Sequence, residues 1–231
     1  MADPAFSLIV PAAGRGERMK SEVAKPYMML GSSTVLEQTL NCFIGFSGLK
    51  QVIVSTSEKY HHQTEDLLDR LFPNLETKVV QGGEVRQQSI YNALQHVDPN
   101  SVLVAVHDAV RPFIAKNLIQ KCLMQALRNK AAIIAVPVKD TIKRVNSELE
   151  IIETPKRSDL WQAQTPQIFE RSLLIRAYEQ ANSANKMGTD DASLVEAAGG
   201  AVKVVKGSFD NFKLTYPLDF RIAELLIKKS D

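Results

Sequence analysis

Residues 8–19 read LIVPAAGRGERM, and residues 24–27 read AKPY. An apolar run drops into small residues, two glycines and two arginines, the usual way a strand opens onto a phosphate-binding loop. Two familiar loops fail to fit. The dinucleotide fingerprint Gly-x-Gly-x-x-Gly is met by Gly14 and Gly16 but finds Met19 where its third glycine belongs. A triphosphatase loop counted from Gly14 also needs glycine at position 19, with Lys20-Ser21 as a near miss. The physical content survives both failures. Pro11-Ala12-Ala13-Gly14 carries no bulky side chain, so its backbone N–H groups can approach a ligand closely. Arg15, Arg18, Lys20 and Lys25 then place four cations within eleven residues. Free N–H donors beside cations make an anion site; a glycine turn next to a solvated basic patch is the alternative for this stretch alone.

Outward from the loop, strand and helix patterns alternate. Ser7–Pro11, Gln51–Ser55 and Thr77–Gln81 read as strands, and Ser101–His107 and Ala131–Val138 as strands of buried type. Helical spacing marks Val35–Phe46, Lys59–Leu71 (Leu67, Leu68 and Leu71 inward), Val85–Gln95 and Asn117–Asn129 (Ile119, Cys122, Leu123, Ala126 and Leu127 inward). Near-continuous apolar strands, each followed by a helix, predict a mostly parallel sheet covered on both faces, an α/β Rossmann-like domain. The pattern then breaks. Asp140–Arg144 and Leu149–Glu153 flank VNSE and read as a two-stranded arm. Such a ribbon is marginal in water by itself, which predicts packing against something else, a second copy of the chain being the natural candidate. LWQAQTPQIF carries no assignment. Helices follow near Arg171–Ala181 and at Ala192–Ala198, then a strand at Ala201–Lys206 and a helix over Leu218–Lys229 begun by Pro217.

Ligands of doubly wound sheets sit beyond the carboxyl ends of the strands, and four strands here end in suitable residues. Gly14 follows the first. Gly82, Gly83, Arg86 and Ser89 follow the third, Asp108 and Arg111 the fourth, and Lys139-Asp140-Thr141 the fifth. Asp108 suits a ribose hydroxyl or a magnesium ion near phosphates, or equally a helix N-cap. His107 points away from Asp108 on a strand, so the pair is a poor metal site. His61 and His62 read as surface residues. In FDNFKLTYP, Lys213 lies between apolar neighbours in a strand-like segment.

The bulk numbers narrow the classes. A chain of 231 residues with net charge +2 suits one α/β domain and gives no general attraction to nucleic acid or membrane. No run approaches the length of a membrane span. Cys42 and Cys122 read as buried core thiols of a reducing compartment. The expected location is cytoplasmic, or a plastid after removal of a transit peptide.

PAAGRGERM, AKPY, GGEVRQQS, HDAVRPF, KDTIKR, WQAQTPQ, GTDDASLVE and DNFKLTYP occur in this order across nearly the whole chain. Together they resemble the 2-C-methyl-D-erythritol 4-phosphate cytidylyltransferases of the non-mevalonate isoprenoid pathway. The resemblance implies a single cytidylyltransferase domain over 1–231, with 138–157 as a protruding β-arm that makes a homodimer. It implies CTP and methylerythritol phosphate as substrates, with magnesium or another divalent cation held mainly by the CTP phosphates and Asp108 as a possible further ligand. Carried over residue by residue, Arg18, Lys25 and Lys213 take catalytic roles. Pro11, Ala12, Ala13, Gly14, Gly82, Gly83, Arg86 and Ser89 frame the nucleotide. Arg157, Thr141, Arg111, Thr165, Thr189 and Asp108 meet the second substrate, with Thr141 and Arg157 reaching a partner subunit's site. The rival ribitol-5-phosphate cytidylyltransferases share HDAVRPF and TPQ but typically open with Leu-Ala-Gly-Gly and tend to lack Trp161 and Thr189-Asp190-Asp191-Ala192. A nucleotide-binding module without turnover is the other alternative.

Overall fold

The computed structural model describes residues 3–14 and 23–228. In chain order the elements are β1 (Phe6–Pro11), β2 (Met29–Leu30), β3 (Ser33–Thr34), α1 (Val35–Asn41), β4 (Leu49–Thr56), α2 (His61–Leu71) and β5 (Glu76–Gln81). Next come α3 (Arg86–Leu94), β6 (Leu103–Val106), α4 (Lys116–Asn129), β7 (Ala131–Pro137), β8 (Arg144–Val145) and β9 (Ile151–Glu153). The chain closes with β10 (Trp161–Glu170), α5 (Arg171–Ser183), α6 (Asp191–Ala197), β11 (Lys203–Lys206) and α7 (Pro217–Ile227).

Among the described residues, seven strands form one sheet in the order β11-β7-β10-β6-β1-β4-β5. All neighbours pair in parallel except β10, which runs antiparallel to both β6 and β7. The alternation of β1 shows how the sheet is buried on both sides: Phe6, Leu8 and Val10 join one apolar cluster, Ile9 the other. The first cluster holds the inner stripes of α1, α2 and α4, the second those of α3, α5 and α6. A third, around Leu30, Val35, Leu214, Phe220 and Ala223, seats α7. The molecule is a single mixed α/β domain with a mostly parallel central sheet.

Several expectations need correction. All of the unassigned LWQAQTPQIF but its leucine lies in the ten-residue strand β10, inside the sheet. Its central polar residues Gln164, Thr165 and Gln167 are buried and bonded. Gln167 donates to Asp190 at 2.8 Å and accepts from the Ala192 N–H at 2.9 Å, and Gln164 donates to the Ser208 carbonyl at 2.9 Å. Pro166 fits because the ladder with β7 shifts register between Ala163 and Gln167. The helix expected to reach Phe46 stops at Asn41, and Gly45 takes φ +91° in the turn beyond. Leu127 is exposed, since one step beyond Ala126 turns about 100° around the helix. Leu71 is only half-buried. The arm strands are shorter than expected, and Asn146 Oδ1 accepts from the Glu148 and Glu150 N–H groups in the turn between them, which takes up Leu149 and Glu150. The segment holding Lys213 forms no ladder; among its ties to the domain are Leu214 N–H to the Val110 carbonyl and Asn211 Nδ2 to the Thr165 carbonyl, both at 2.9 Å. Cys42 is half-buried at the end of α1, Cys122 fully buried, and neither is in a disulfide.

Candidate active site

β1 lies between β4 and β6, so the strand order reverses there and a crevice opens at its carboxyl end. A cavity of about 280 Å³ fills it. Its walls are Pro11–Gly14 after β1, Gly83, Arg86 and Ser89 after β5, Asp108 after β6, and the side chains of Lys25 and Lys213. Gly82 stands behind the wall. A Cβ there would meet the Ala13 Cβ at 2.1 Å, whereas one on Gly14 would meet nothing within 4 Å. Ser89 Oγ accepts from the Gly83 N–H at 3.0 Å and donates to the Val85 carbonyl at 3.1 Å, which pins the loop. Lys25 is buried in a short 3-10 turn and donates to the Thr215 carbonyl at 3.1 Å. Two residues on, Tyr27 stacks on Tyr60 with centroids 3.9 Å apart.

Asp108 is the electrostatic centre. Its Oδ1 receives Arg86 Nε at 3.2 Å, and its Oδ2 receives Arg111 Nε at 3.1 Å and Lys213 Nζ at 3.1 Å. Burial alone would raise this carboxyl, but Arg86, Lys213 and Arg111 outweigh it and hold it far below the usual carboxylate range. Arg86 also grips Asp191 through both terminal nitrogens, at 3.1 and 2.8 Å, and Tyr178 donates to the same carboxylate. The Arg86 guanidinium is therefore held between two carboxylates. Arg111 donates to the Asn211 carbonyl at 2.8 Å.

A second cavity of about 300 Å³ lies on the other side of this group, lined by Arg111, Thr165 and Thr189. Arg86, Asp108 and Lys213 line both cavities. Thr165 is buried and its Oγ1 accepts from the Asp108 N–H at 3.0 Å. Burial pushes the adjacent His107 imidazole down to about 4.

The sequence profile of the 2-C-methyl-D-erythritol 4-phosphate cytidylyltransferases matches residues 6–229. The chain belongs to that family. The enzyme of that name from Caldanaerobacter subterraneus subsp. tengcongensis is 40% identical over 224 residues, covering 96% of this chain and 99% of the relative. That from Alkaliphilus metalliredigens is 42% identical over 225 residues, covering 96% and 93%. Among solved structures, 4-diphosphocytidyl-2C-methyl-D-erythritol synthase from Anaerococcus prevotii superimposes with a TM-score of 0.86 at 30% identity, covering 97% of this chain and 99% of that one. The cytidylyltransferase from Thermus thermophilus gives 0.79 at 31%, covering 99% and 100%. Neither the ribitol-5-phosphate reading nor that of a non-catalytic module is favoured by these matches.

Three of the family's expected site residues are not placed in these cavities. Arg18 lies outside the described residues. Thr141 and Arg157 are exposed on the arm and line neither cavity; Arg157 donates to the Lys139 carbonyl at 3.0 Å across the arm's base. Site residues that the sequence reading passed over are Asp191, Tyr178, His107, Gln164 and Gln167. The signal for the glutamines was a polar run that had no assignment; for Asp191 it was the doubled acid of GTDD, of which the first member caps α6.

The described residues do not form a protein-held metal site. No group of three or more His, Cys, Asp or Glu side chains is placed to ligate an ion. Asp108, the possible ligand, is engaged by Arg86, Arg111 and Lys213.

Proposed function

We propose that the chain transfers the cytidylyl group of CTP to 2-C-methyl-D-erythritol 4-phosphate, releasing pyrophosphate and forming the 4-diphosphocytidyl alcohol. The observation that carries this reading is the pair of cavities sharing Lys213 and Asp108. CTP occupies the small-residue crevice and methylerythritol phosphate the neighbouring one, so that the reacting phosphates meet at Lys213.

Both reactants are anions, so the barrier is largely repulsion and positioning, with little proton chemistry for side chains to perform. The acceptor phosphate is already ionised near neutral pH and attacks the α-phosphorus as pyrophosphate leaves in line. Lys25 and Lys213, with Arg18, act as fixed cations whose contacts strengthen as charge builds on the transferring group. Backbone of Ala12–Gly14 and the Gly82–Ser89 segment hold the base and ribose. The backbone distinguishes cytosine from uracil by accepting from the exocyclic amine. Arg111, Thr165, Thr189 and Asp108 frame the acceptor. Magnesium or another divalent cation would be held mainly by the triphosphate and would supply charge neutralisation there.

The arm, residues 138–157, completes the site of a second copy in a homodimer. In support, Ile142, Val145, Leu149, Ile151 and Ile152 are all exposed on it. Arg157 at its base, with a planar fork suited to phosphate, stands away from both cavities of its own chain. The proposed location is the cytoplasm, in keeping with two unpaired thiols.

The test is pyrophosphate release with CTP and magnesium, comparing methylerythritol phosphate with ribitol 5-phosphate. Release with the first alone is expected. Release with ribitol 5-phosphate alone, or with neither, overturns the reading.

A further inference from the structure

His107 is fully buried at the end of β6, and no step of the reaction uses it. Both ring nitrogens are engaged. Nε2 lies 3.1 Å from the Arg111 carbonyl oxygen, and Nδ1 lies 3.0 Å from Thr165 Oγ1. A carbonyl can only accept, so Nε2 carries the proton. A neutral ring then has a bare Nδ1, which must accept from the Thr165 hydroxyl. Thr165 Oγ1 in turn accepts from the Asp108 N–H. The chain of donors therefore has one direction: Asp108 N–H to Thr165 Oγ1, Thr165 hydroxyl to His107 Nδ1, His107 Nε2–H to the Arg111 carbonyl.

We infer that His107 is a positioning residue that fixes the Asp108–Arg111 turn at both ends, and through Thr165 fastens that turn to β10. The inference rests on the proposed reaction. The turn carries the carboxylate that holds Lys213 and the guanidinium that lines the second cavity. The directed chain also sets what Thr165 does. Its hydroxyl donates to His107 Nδ1, so it offers no hydrogen to a substrate, and its part in acceptor binding is to aim the backbone of Asp108. Burial supports the neutral ring, with the imidazole pushed down to about 4. Phe43 packs on the ring with centroids 5.2 Å apart and restricts its rotation.

Three full-length variants separate the parts. His107→Asn retains an acceptor near the Nδ1 position and loses the Arg111 bond. His107→Gln reaches toward the Nε2 position and loses the Thr165 bond. His107→Phe loses both. In His107→Phe, kcat/KM for methylerythritol phosphate is expected to fall at least tenfold while KM for CTP changes less than twofold, with the two amide variants intermediate. Thr165→Val added to His107→Phe should cost little more than His107→Phe alone, because both break one chain. Nitrogen-15 NMR of the histidine-labelled wild type at neutral pH should show Nε2 protonated and Nδ1 bare, a readout independent of turnover. A protonated Nδ1 overturns the inference. So do losses from His107 and Thr165 that multiply, or amide variants that match the wild type, which remain informative if the phenylalanine variant fails to fold. A wild type that turns over no methylerythritol phosphate overturns the functional reading and the positioning role together. An active wild type with an equally active His107→Phe overturns the role alone.

Discussion

Lys213 Nζ stands 3.1 Å from Asp108 Oδ2, and the two residues are unequal partners. Asp108 is buried among three cations, whereas the Lys213 side chain is 40% exposed. Asp108→Asn leaves three positive groups without their common counter-charge. It should lower stability by about 3–5 kcal/mol, as breaking a buried charge network does, and should abolish turnover. Lys213→Ala should change stability by less than about 1 kcal/mol while lowering kcat by orders of magnitude, each ~1.4 kcal/mol of lost transition-state contact being tenfold. Urea denaturation and pyrophosphate release on the two variants separate these outcomes.

Lys25→Ala and Arg18→Ala should also lower kcat by orders of magnitude. Steady-state kinetics decide the matter: a raised KM for CTP with unchanged kcat would show that these cations bind the ground state and transition state equally.

Arg157→Ala should raise KM for methylerythritol phosphate far more than KM for CTP. If arm and cavity belong to different subunits of one site, mixing Arg157→Ala chains with Lys25→Ala chains restores part of the activity. A mixture as inactive as its components would place each site within a single chain.

Gly82→Ala sets a methyl group against Ala13, 2.1 Å from its Cβ. Overpacking of this kind costs about 1–3 kcal/mol and displaces the nucleotide loop, so both melting temperature and CTP affinity should fall. Gly14→Ala, with nothing within 4 Å, should keep its stability within about 0.5 kcal/mol. Thermal melts with and without CTP compare the pair.

Stability should decline in two stages on acidification. The ordinary pKa of His107 is 6.5 and the folded value is about 4, so between those values the unfolded chain takes up a proton that the folded chain refuses. Stability therefore falls as pH drops from about 6.5 to about 4. Below the usual carboxylate range Asp108 acts similarly, because its folded pKa is depressed and its contribution is lost as protonation sets in. Urea titrations across pH should show the first stage diminished in His107→Asn and the second retained.

The parallel half of the sheet was legible because β1, β4, β6 and β7 are apolar on both faces, which leaves little ambiguity. β10 was not, because burial there is achieved by glutamines whose partners come from Asp190, Ala192, Ser208 and Asn211, residues distant in sequence. The strand-end residues Gly14, Gly83 and Asp108 were readable as binding groups from position, whereas Lys213 stood out only by its apolar neighbours and took its role from the family resemblance. Their mutual arrangement was not readable, since the role of Arg86 depends on Asp191, 105 positions away. A helix stripe or a loop of small residues is local information; a buried polar network is not.

The placement of β10 between β6 and β7 has a consequence for synthesis of the chain. Strands β6, β1, β4 and β5 are neighbours and can assemble once residue 106 has emerged from the ribosome. β7, made next, has no edge to join until β10 follows it. The nascent domain therefore carries an open β6 edge while the arm is being made. Closing that gap and placing Thr165 against Asp108 are the same event, and both cavities are completed later still, when Lys213 is made.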